Sequence, residues 1–214
     1  MAAKKAMTEK RWETCSNPGP MLEYLRGRAS QRKLRLFAVA CCRGILSKRD
    51  HYHAALDTAE KVAEGNASRE LVRDLDEWDG MAMGAGDPTG WAIHHATNLP
   101  EEGLDHEFTN WVAGMRPGGK EVNSTEDLAR FADLLRCLFG NPFRRAAVEH
   151  AWQTRTVVTL AKQMYDKKTF DAMPILADAL QDAGCTNEEM LSHCRGAGPH
   201  VRGCWVVDLL LGKE

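Results

Sequence analysis

The fold is set by the stretch Gln31-Arg-Lys-Leu-Arg-Leu-Phe-Ala-Val-Ala-Cys-Cys-Arg-Gly-Ile-Leu-Ser47. Its apolar residues recur at the three-to-four residue spacing of a helix and form one stripe, with basic residues distributed around it. The stripe consists of Leu34, Phe37, Ala38, Cys41 and Ile45. We therefore predict a central core helix from Gln31 to Ser47, capped by Ser30.

Helical spacing continues on both sides of this stretch, whereas the alternating β-branched runs of strands are nearly absent. The sequence thus predicts an all-α fold, a compact multi-helix bundle. Further helices are expected over Thr8–Cys15, Pro20–Leu25, Asp50–Glu64, Ser68–Trp78, Ser124–Gly140, Thr154–Asp166, Phe170–Ala183, and from Asn187 after the cap Thr186. The terminal segment Val201–Leu211 has both helical and strand character, and we favour a helix because nothing supplies a partner strand. The six tryptophans are expected to be mostly core residues.

Glycine and proline interrupt the middle of the chain, from Gly80 to Val122, so we expect an irregular segment with short helices near Trp91–Thr97 and Leu104–Val112. Within it, His94-His95 and the acidic residues after Pro100 form a weaker candidate for metal binding or acid/base chemistry. We predict one helical domain over residues 1–214. An internal boundary, if there is one, falls near 116–123.

The composition limits the class of protein. A chain of 214 residues with 28 basic and 30 acidic residues has a formal charge of -2, which does not favour a dedicated nucleic-acid binder. A basic helix surface leaves nucleic acid open, although a salt-bridged surface explains it more simply; it comprises Arg26, Arg28, Arg32, Lys33 and Arg35. Seven cysteines without a secretion signal predict reduced thiols in a cytoplasmic protein, and no apolar run is long enough for a membrane.

The C-terminal stretch His193-Cys-Arg-Gly-Ala-Gly-Pro-His-Val-Arg-Gly-Cys-Trp205 is unusually rich in imidazole and sulfur. Zinc binds such groups tetrahedrally, so we consider a metal site made of His193, Cys194, His200 and Cys204, with Cys185, Cys41 or Cys42 as further candidates. The spacing is not a paired Cys-x-x-Cys arrangement, and adjacent residues of a helix point in different directions. The simpler interpretation is that the cysteines are small buried apolar groups, with no cofactor.

Two other chemistries fit the same stretch. Cys204 or Cys194 is a candidate nucleophile beside His200 or His193, although the apolar residues after Cys204 suggest burial, which makes a thiol inert. Arg195 and Arg202, in a glycine-rich loop, form a candidate anion site. The alternative is that these arginines pair with acidic residues such as Asp178, Asp182 or Asp208.

Three blocks of the chain resemble an uncharacterised family that is heavily expanded in planctomycete bacteria. They are Met21 to Arg43, which ends in Cys-Cys-Arg; Leu134-Leu-Arg-Cys-Leu-Phe-Gly-Asn-Pro-Phe-Arg144; and Ile175 to Lys213. The resemblance covers about half of the chain and carries no established activity. It implies a soluble bacterial protein with a variable middle, in which the Cys-Cys-Arg and Gly-Pro-His-Val-Arg-Gly-Cys-Trp motifs share one folding unit.

Together these observations favour a non-enzymatic interaction or regulatory module, or an accessory subunit, that acts through a protein partner. We expect its Cys/His/Arg tail to fold back on the helix from Gln31 to Ser47. The alternative is a zinc-stabilised or cysteine-dependent enzyme centred on the C-terminal cysteines and histidines. The first interpretation rests on clear helix patterning and on the lack of a complete catalytic constellation in the sequence.

Overall fold

The computed structural model describes residues 6–45, 50–66, 68, 112 and 124–213. All regular secondary structure in these residues is helical, which confirms the all-α class. The helices are α1 (Glu9–Thr14), α2 (Pro18–Leu25), α3 (Gln31–Ile45), α4 (Asp50–Ala63), α5 (Thr125–Phe139), α6 (Arg155–Lys167), α7 (Met173–Asp182), α8 (Glu188–Arg195) and α9 (Trp205–Leu211), with a 3-10 turn at His150–Trp152. None of these described helices combines the length and apolar character needed to cross a bilayer.

The helices expected between residues 69 and 123 lie outside the described residues, as do His94 and His95. Val112 is the exception: it is helical and fully buried. The tail-to-α3 contact remains a prediction.

Side-chain caps explain why several helices begin where they do. Ser124 and Asp127 cap α5 reciprocally: Ser124 Oγ accepts from the Asp127 N–H at 3.1 Å, and Asp127 Oδ2 accepts from the Ser124 N–H at 3.1 Å. At α8 the predicted cap was wrong by one residue. Asn187, not Thr186, is the cap, because its Oδ1 accepts from the Met190 N–H at 3.0 Å.

Three other helix starts also differ from the predictions. α2 begins at Pro18 rather than Pro20, because Asn17 caps it: its Oδ1 accepts from the Gly19 N–H at 2.9 Å. α7 begins at Met173 rather than Phe170, because the Met173 N–H bonds the Phe170 carbonyl at 3.1 Å and closes a turn before the helix. The C-terminal segment is helical as favoured, but α9 begins only at Trp205. A turn precedes it, in which the Cys204 N–H donates to the Val201 carbonyl at 2.9 Å.

The chain divides into two compact units, residues 1–132 and 133–214, so the division falls within α5. The predicted boundary near 116–123 lies among residues that are not described, and the single-domain assignment remains a prediction. The Cys-Cys-Arg motif falls in the first unit and the Gly-Pro-His-Val-Arg-Gly-Cys-Trp motif in the second, although the resemblance implies one folding unit.

In the first unit α3 packs against α4, and the predicted stripe of α3 is buried wherever its side chains are described. Residues of the basic surface contact acceptors within the unit. Arg32 pairs with Glu64 at 2.9 Å, and Arg28 donates to the Tyr24 carbonyl at 2.7 Å while lying over its ring. These contacts agree with a salt-bridged surface.

The second unit has its own core, in which α6 packs against α7 and α9, and α8 packs against α7 and α9. Its helices bury residues at helical spacing. The buried set in α7 is Met173, Leu176, Ala177 and Leu180. α9 is buried almost all round, including Asp208, so it lies inside the unit. Trp152 and Trp205 are buried here, and Trp12 is buried in the first unit, as expected for core tryptophans.

Candidate metal centre

Four side chains of the second unit converge: Cys137, His193, His200 and Cys204. One ligand atom from each lies within 4.8 Å of the other three. The two cysteines are 2% and 0% exposed, respectively, and the two histidines are partly buried. The group is therefore largely enclosed within the second unit and is not an open surface site.

Cys137 comes from the last turn of α5, and the sequence around it explains its position. α5 ends at Phe139, and Gly140 follows in the left-handed conformation at φ +59°, with its N–H bonded to the Arg136 carbonyl at 2.9 Å. A Cβ at residue 140 would come within 3.1 Å of the Trp205 indole. Glycine at this position thus allows the end of α5 to approach the start of α9.

The other three residues come from the last turn of α8 and from the segment that joins it to α9. His193 lies in the last turn of α8, His200 lies in the following glycine-rich loop, and Cys204 immediately precedes α9. The loop turns tightly at both ends: Gly196 bonds back to the Ser192 carbonyl at 2.9 Å, and Cys204 to the Val201 carbonyl. These turns bring the three side chains to one side of the loop.

The contacts within the cluster are close. Nε2 of His193 lies 3.2 Å from Sγ of Cys204, and the rings of His193 and His200 meet edge to face, with centroids 4.9 Å apart and planes at 88°. The Trp205 ring packs beside His193 at 5.5 Å. Nε2 of His200 lies 3.2 Å from the Gly196 carbonyl oxygen, whereas its Nδ1 is buried and makes no hydrogen bond of acceptable geometry.

The electrostatics favour a thiolate at Cys204. Burial is the largest single influence and opposes ionisation, but contacts with Cys137, His193 and His200 together outweigh it and hold the pKa of the Cys204 thiol well below its ordinary value. For His200, burial lowers the pKa, but proximity to Cys204 and the Gly196 carbonyl more than compensate, so its pKa is raised. The cluster thus pairs a sulfur that ionises readily with the basic ring of His200.

Cys194, which the sequence placed in the metal set, does not join the four. It follows His193 directly in the sequence and is fully buried. Burial raises the pKa of its thiol far above the ordinary range. Burial also raises the pKa of the Cys185 thiol. Cys41 and Cys42 belong to the first unit, and burial raises the pKa of both thiols, that of Cys42 to about 12.

The two arginines proposed for anion binding contact protein groups. Arg195 pairs with Asp178 at 3.1 Å, one of the partners named by the alternative, and donates to Gln181 at 2.6 Å. Arg202 donates to the Tyr165 carbonyl at 2.8 Å and lies over the Tyr165 ring. Arg202 therefore satisfies a carbonyl in the last turn of α6, where helix carbonyls lack intrahelical partners.

Sequence reasoning did not single out Cys137. It lies on the apolar face of α5, where a cysteine is indistinguishable from a small core residue, and it is distant in the chain from the C-terminal stretch. The signal in the sequence was the helix-ending Gly140-Asn-Pro142 just after it. That motif ends the helix just after the thiol, so the thiol lies beside the element that packs against this helix end.

Two thiols and two imidazoles match the tetrahedral Cys2His2 set of structural zinc sites. Around zinc, such ligand atoms are separated by roughly 3.3–3.8 Å, given Zn–S and Zn–N bond lengths of about 2.3 and 2.0–2.1 Å. No pair of ligand atoms is more than 4.8 Å apart, so even the most distant pair needs to contract by only about 1–1.5 Å. The His193–Cys204 pair already lies at 3.2 Å. With four protein ligands, no coordination position remains for a substrate.

Comparisons of the chain with protein-family models, with curated proteins and with solved structures found no match.

Proposed function

We propose that the protein is a zinc-stabilised, non-enzymatic helical module. Cys137, His193, His200 and Cys204 hold one structural zinc ion, and the module acts through a protein partner. The convergence of these four ligand atoms within 4.8 Å carries the proposal. The metal would join the end of α5 to the α8–α9 segment, and the binding free energy would become folding free energy of the second unit.

The non-enzymatic part is supported by the closed ligand set and by the burial of both cysteines. A protein partner is favoured over nucleic acid by the near-balanced charge and by the internal contacts of Arg28 and Arg32. All seven cysteines are free thiols, which fits a reducing compartment, and we place the protein in the bacterial cytoplasm.

Metal analysis of the full chain, purified without added metal and then titrated with zinc, tests the proposal. We expect one zinc per chain. Cobalt in place of zinc should give the intense visible d–d bands of a tetrahedral site. Thiolate ligands should add sulfur-to-metal charge-transfer absorption in the near ultraviolet. This readout uses the unmodified chain and does not depend on how well variants fold. A chain that binds neither metal at micromolar concentrations refutes the proposal.

Variants then assign the ligands. Cys137→Ser and Cys204→Ser should each abolish stoichiometric binding, because a hydroxyl is a poor zinc ligand at neutral pH. Cys194→Ala is the matched control: it removes a buried thiol of the same unit that is not in the cluster, and it should retain the metal. Loss of zinc from Cys194→Ala alone would contradict the assignment.

The second candidate is a cysteine-dependent enzyme, which the lowered pKa of Cys204 and its 3.2 Å contact with His193 favour. The rate of alkylation of Cys204 distinguishes the structural zinc site from the cysteine-dependent enzyme. A structural zinc site predicts that iodoacetamide modifies Cys204 slowly, and faster after zinc is removed by a chelator. A catalytic thiolate predicts rapid modification of Cys204 in the native protein, with no effect of the chelator.

A further inference from the structure

The two histidines of the cluster differ in what their ring nitrogens contact. His193 directs Nε2 at the Cys204 sulfur, at 3.2 Å. His200 instead places Nε2 3.2 Å from the Gly196 carbonyl oxygen. A carbonyl oxygen only accepts hydrogen bonds, so Nε2 of His200 carries the hydrogen, and the lone pair of the neutral ring lies on Nδ1.

That Nδ1 is the atom of His200 that needs a partner. It is buried, and no hydrogen bond of good geometry reaches it within the described residues, although the Cys204 thiol lies near the ring. A buried acceptor that lacks a well-placed donor is costly, and in native proteins a water or a bound ion commonly satisfies such an atom. The cluster around it offers two sulfurs and a second imidazole, which suit a metal ion better than a water.

We infer that His200 binds the metal through Nδ1, with its Nε2–H held by the Gly196 carbonyl, while His193 binds through Nε2. This inference rests on the proposed function and specifies its coordination chemistry. A carbonyl that accepts from the second nitrogen of a metal-bound histidine fixes the tautomer and the ring orientation. Gly196 is thus a positioning residue that acts through its backbone.

The position of Gly196 ties the two histidines together. Its N–H donates to the carbonyls of Ser192 and His193, at 2.9 and 3.2 Å, so the carbonyl that orients His200 is fixed to the helix turn that carries His193. The intervening loop has little apolar content, and Ala197 and Gly198 are exposed. We therefore expect metal binding to increase the hydrogen-exchange protection of the amides between Gly196 and Gly203.

Nuclear magnetic resonance of the 15N-labelled full chain, loaded with 113Cd in place of zinc, tests the inference on the unmodified protein. Long-range proton–nitrogen spectra of the imidazoles should show 113Cd coupling at Nδ1 of His200 and at Nε2 of His193. The His200 signals are assigned by their loss in His200→Gln. The control is His150→Gln, since His150 is exposed and not in the cluster.

Each result is decisive. Coupling at His200 Nδ1 supports the inference. Coupling at His200 Nε2, or coupling to His193 but not to His200, overturns it and leaves the zinc proposal standing. If neither zinc nor cadmium binds the chain, the proposed function and the inference fail together.

Discussion

Gly140 lies against the indole ring of Trp205: a Cβ added at residue 140 would come within 3.1 Å of both Cγ and Cδ2 of that ring. Trp205 in turn packs beside His193, with ring centroids 5.5 Å apart. The backbone at the end of α5 is therefore coupled through one aromatic side chain to a proposed metal ligand.

Gly140→Ala should for this reason destabilise the second unit. Alanine in the left-handed conformation costs about 1–2 kcal/mol, and displacement of the buried indole adds about 1–3 kcal/mol. We expect a loss of about 3 kcal/mol in urea unfolding, together with weaker zinc binding because Trp205 and His193 must shift.

Gly212→Ala is the control, because Gly212 has a similar φ of +64° and no atom within 4 Å of an added Cβ. It should cost only the backbone component, about 1 kcal/mol, and leave zinc affinity unchanged. Equal effects of the two substitutions would show that the Trp205 contact does not matter.

Arg202 provides a second prediction, because it stabilises the end of α6 rather than an anion. Arg202→Ala removes the hydrogen bond to the Tyr165 carbonyl and the contact with the Tyr165 ring, and it should cost about 2 kcal/mol in thermal or urea unfolding. Arg195→Ala removes an exposed pair with Asp178 and an exposed hydrogen bond to Gln181, and it should cost less than about 0.5 kcal/mol. Stabilisation of the unmodified chain by millimolar phosphate, lost in both variants, would instead support anion binding.

Much of the fold was readable from the sequence because its signals are local. Ser124 with Asp127, and the stripe of α3, depend on residues a few positions apart, and the structure bears them out. The cap of α8 was predicted one residue too early because Thr186 is also a good cap. Only the observed bond from the Met190 N–H to Asn187 Oδ1 decides between them.

The four-residue cluster could be predicted only in part, because the sequence carries local signals and not tertiary contacts. His193, His200 and Cys204 lie in one short stretch, and the structure brings them together. Cys194 was included because it adjoins His193, but neighbours in a helix are rotated by about 100°, which turns its side chain away from that of His193. Cys137 reaches the group only through tertiary packing of α5, and no spacing within the sequence encodes that contact.

The buried ion pair of the first unit gives a third prediction. Arg32 and Glu64 have side chains only 16% and 5% exposed, and both Nε and Nη2 of Arg32 lie within about 3 Å of Glu64 Oε1, at 3.0 and 2.9 Å. Glu64→Gln keeps an acceptor but removes the negative charge that faces a partly buried guanidinium, so we expect a loss of about 2 kcal/mol in urea unfolding. Glu23→Gln, at the exposed pair with Arg26 at 3.7 Å, is the control and should change the stability by less than about 0.5 kcal/mol.

Cys42 gives a prediction for alkaline pH. Burial raises the pKa of its thiol from the ordinary value of 9.0 to about 12, so between these values the unfolded chain loses the proton and the folded chain keeps it. The folded state then binds more protons, and the free energy of unfolding must fall as the pH rises above about 9. For this one thiol the loss should reach about 1 kcal/mol at pH 10 relative to pH 8, measured by urea unfolding.

Cys42→Ala should lower the free energy of unfolding at both pH values because it leaves a cavity, yet it should reduce the pH dependence by this amount. An unchanged slope in Cys42→Ala would mean that this thiol ionises alike in the folded and unfolded chains.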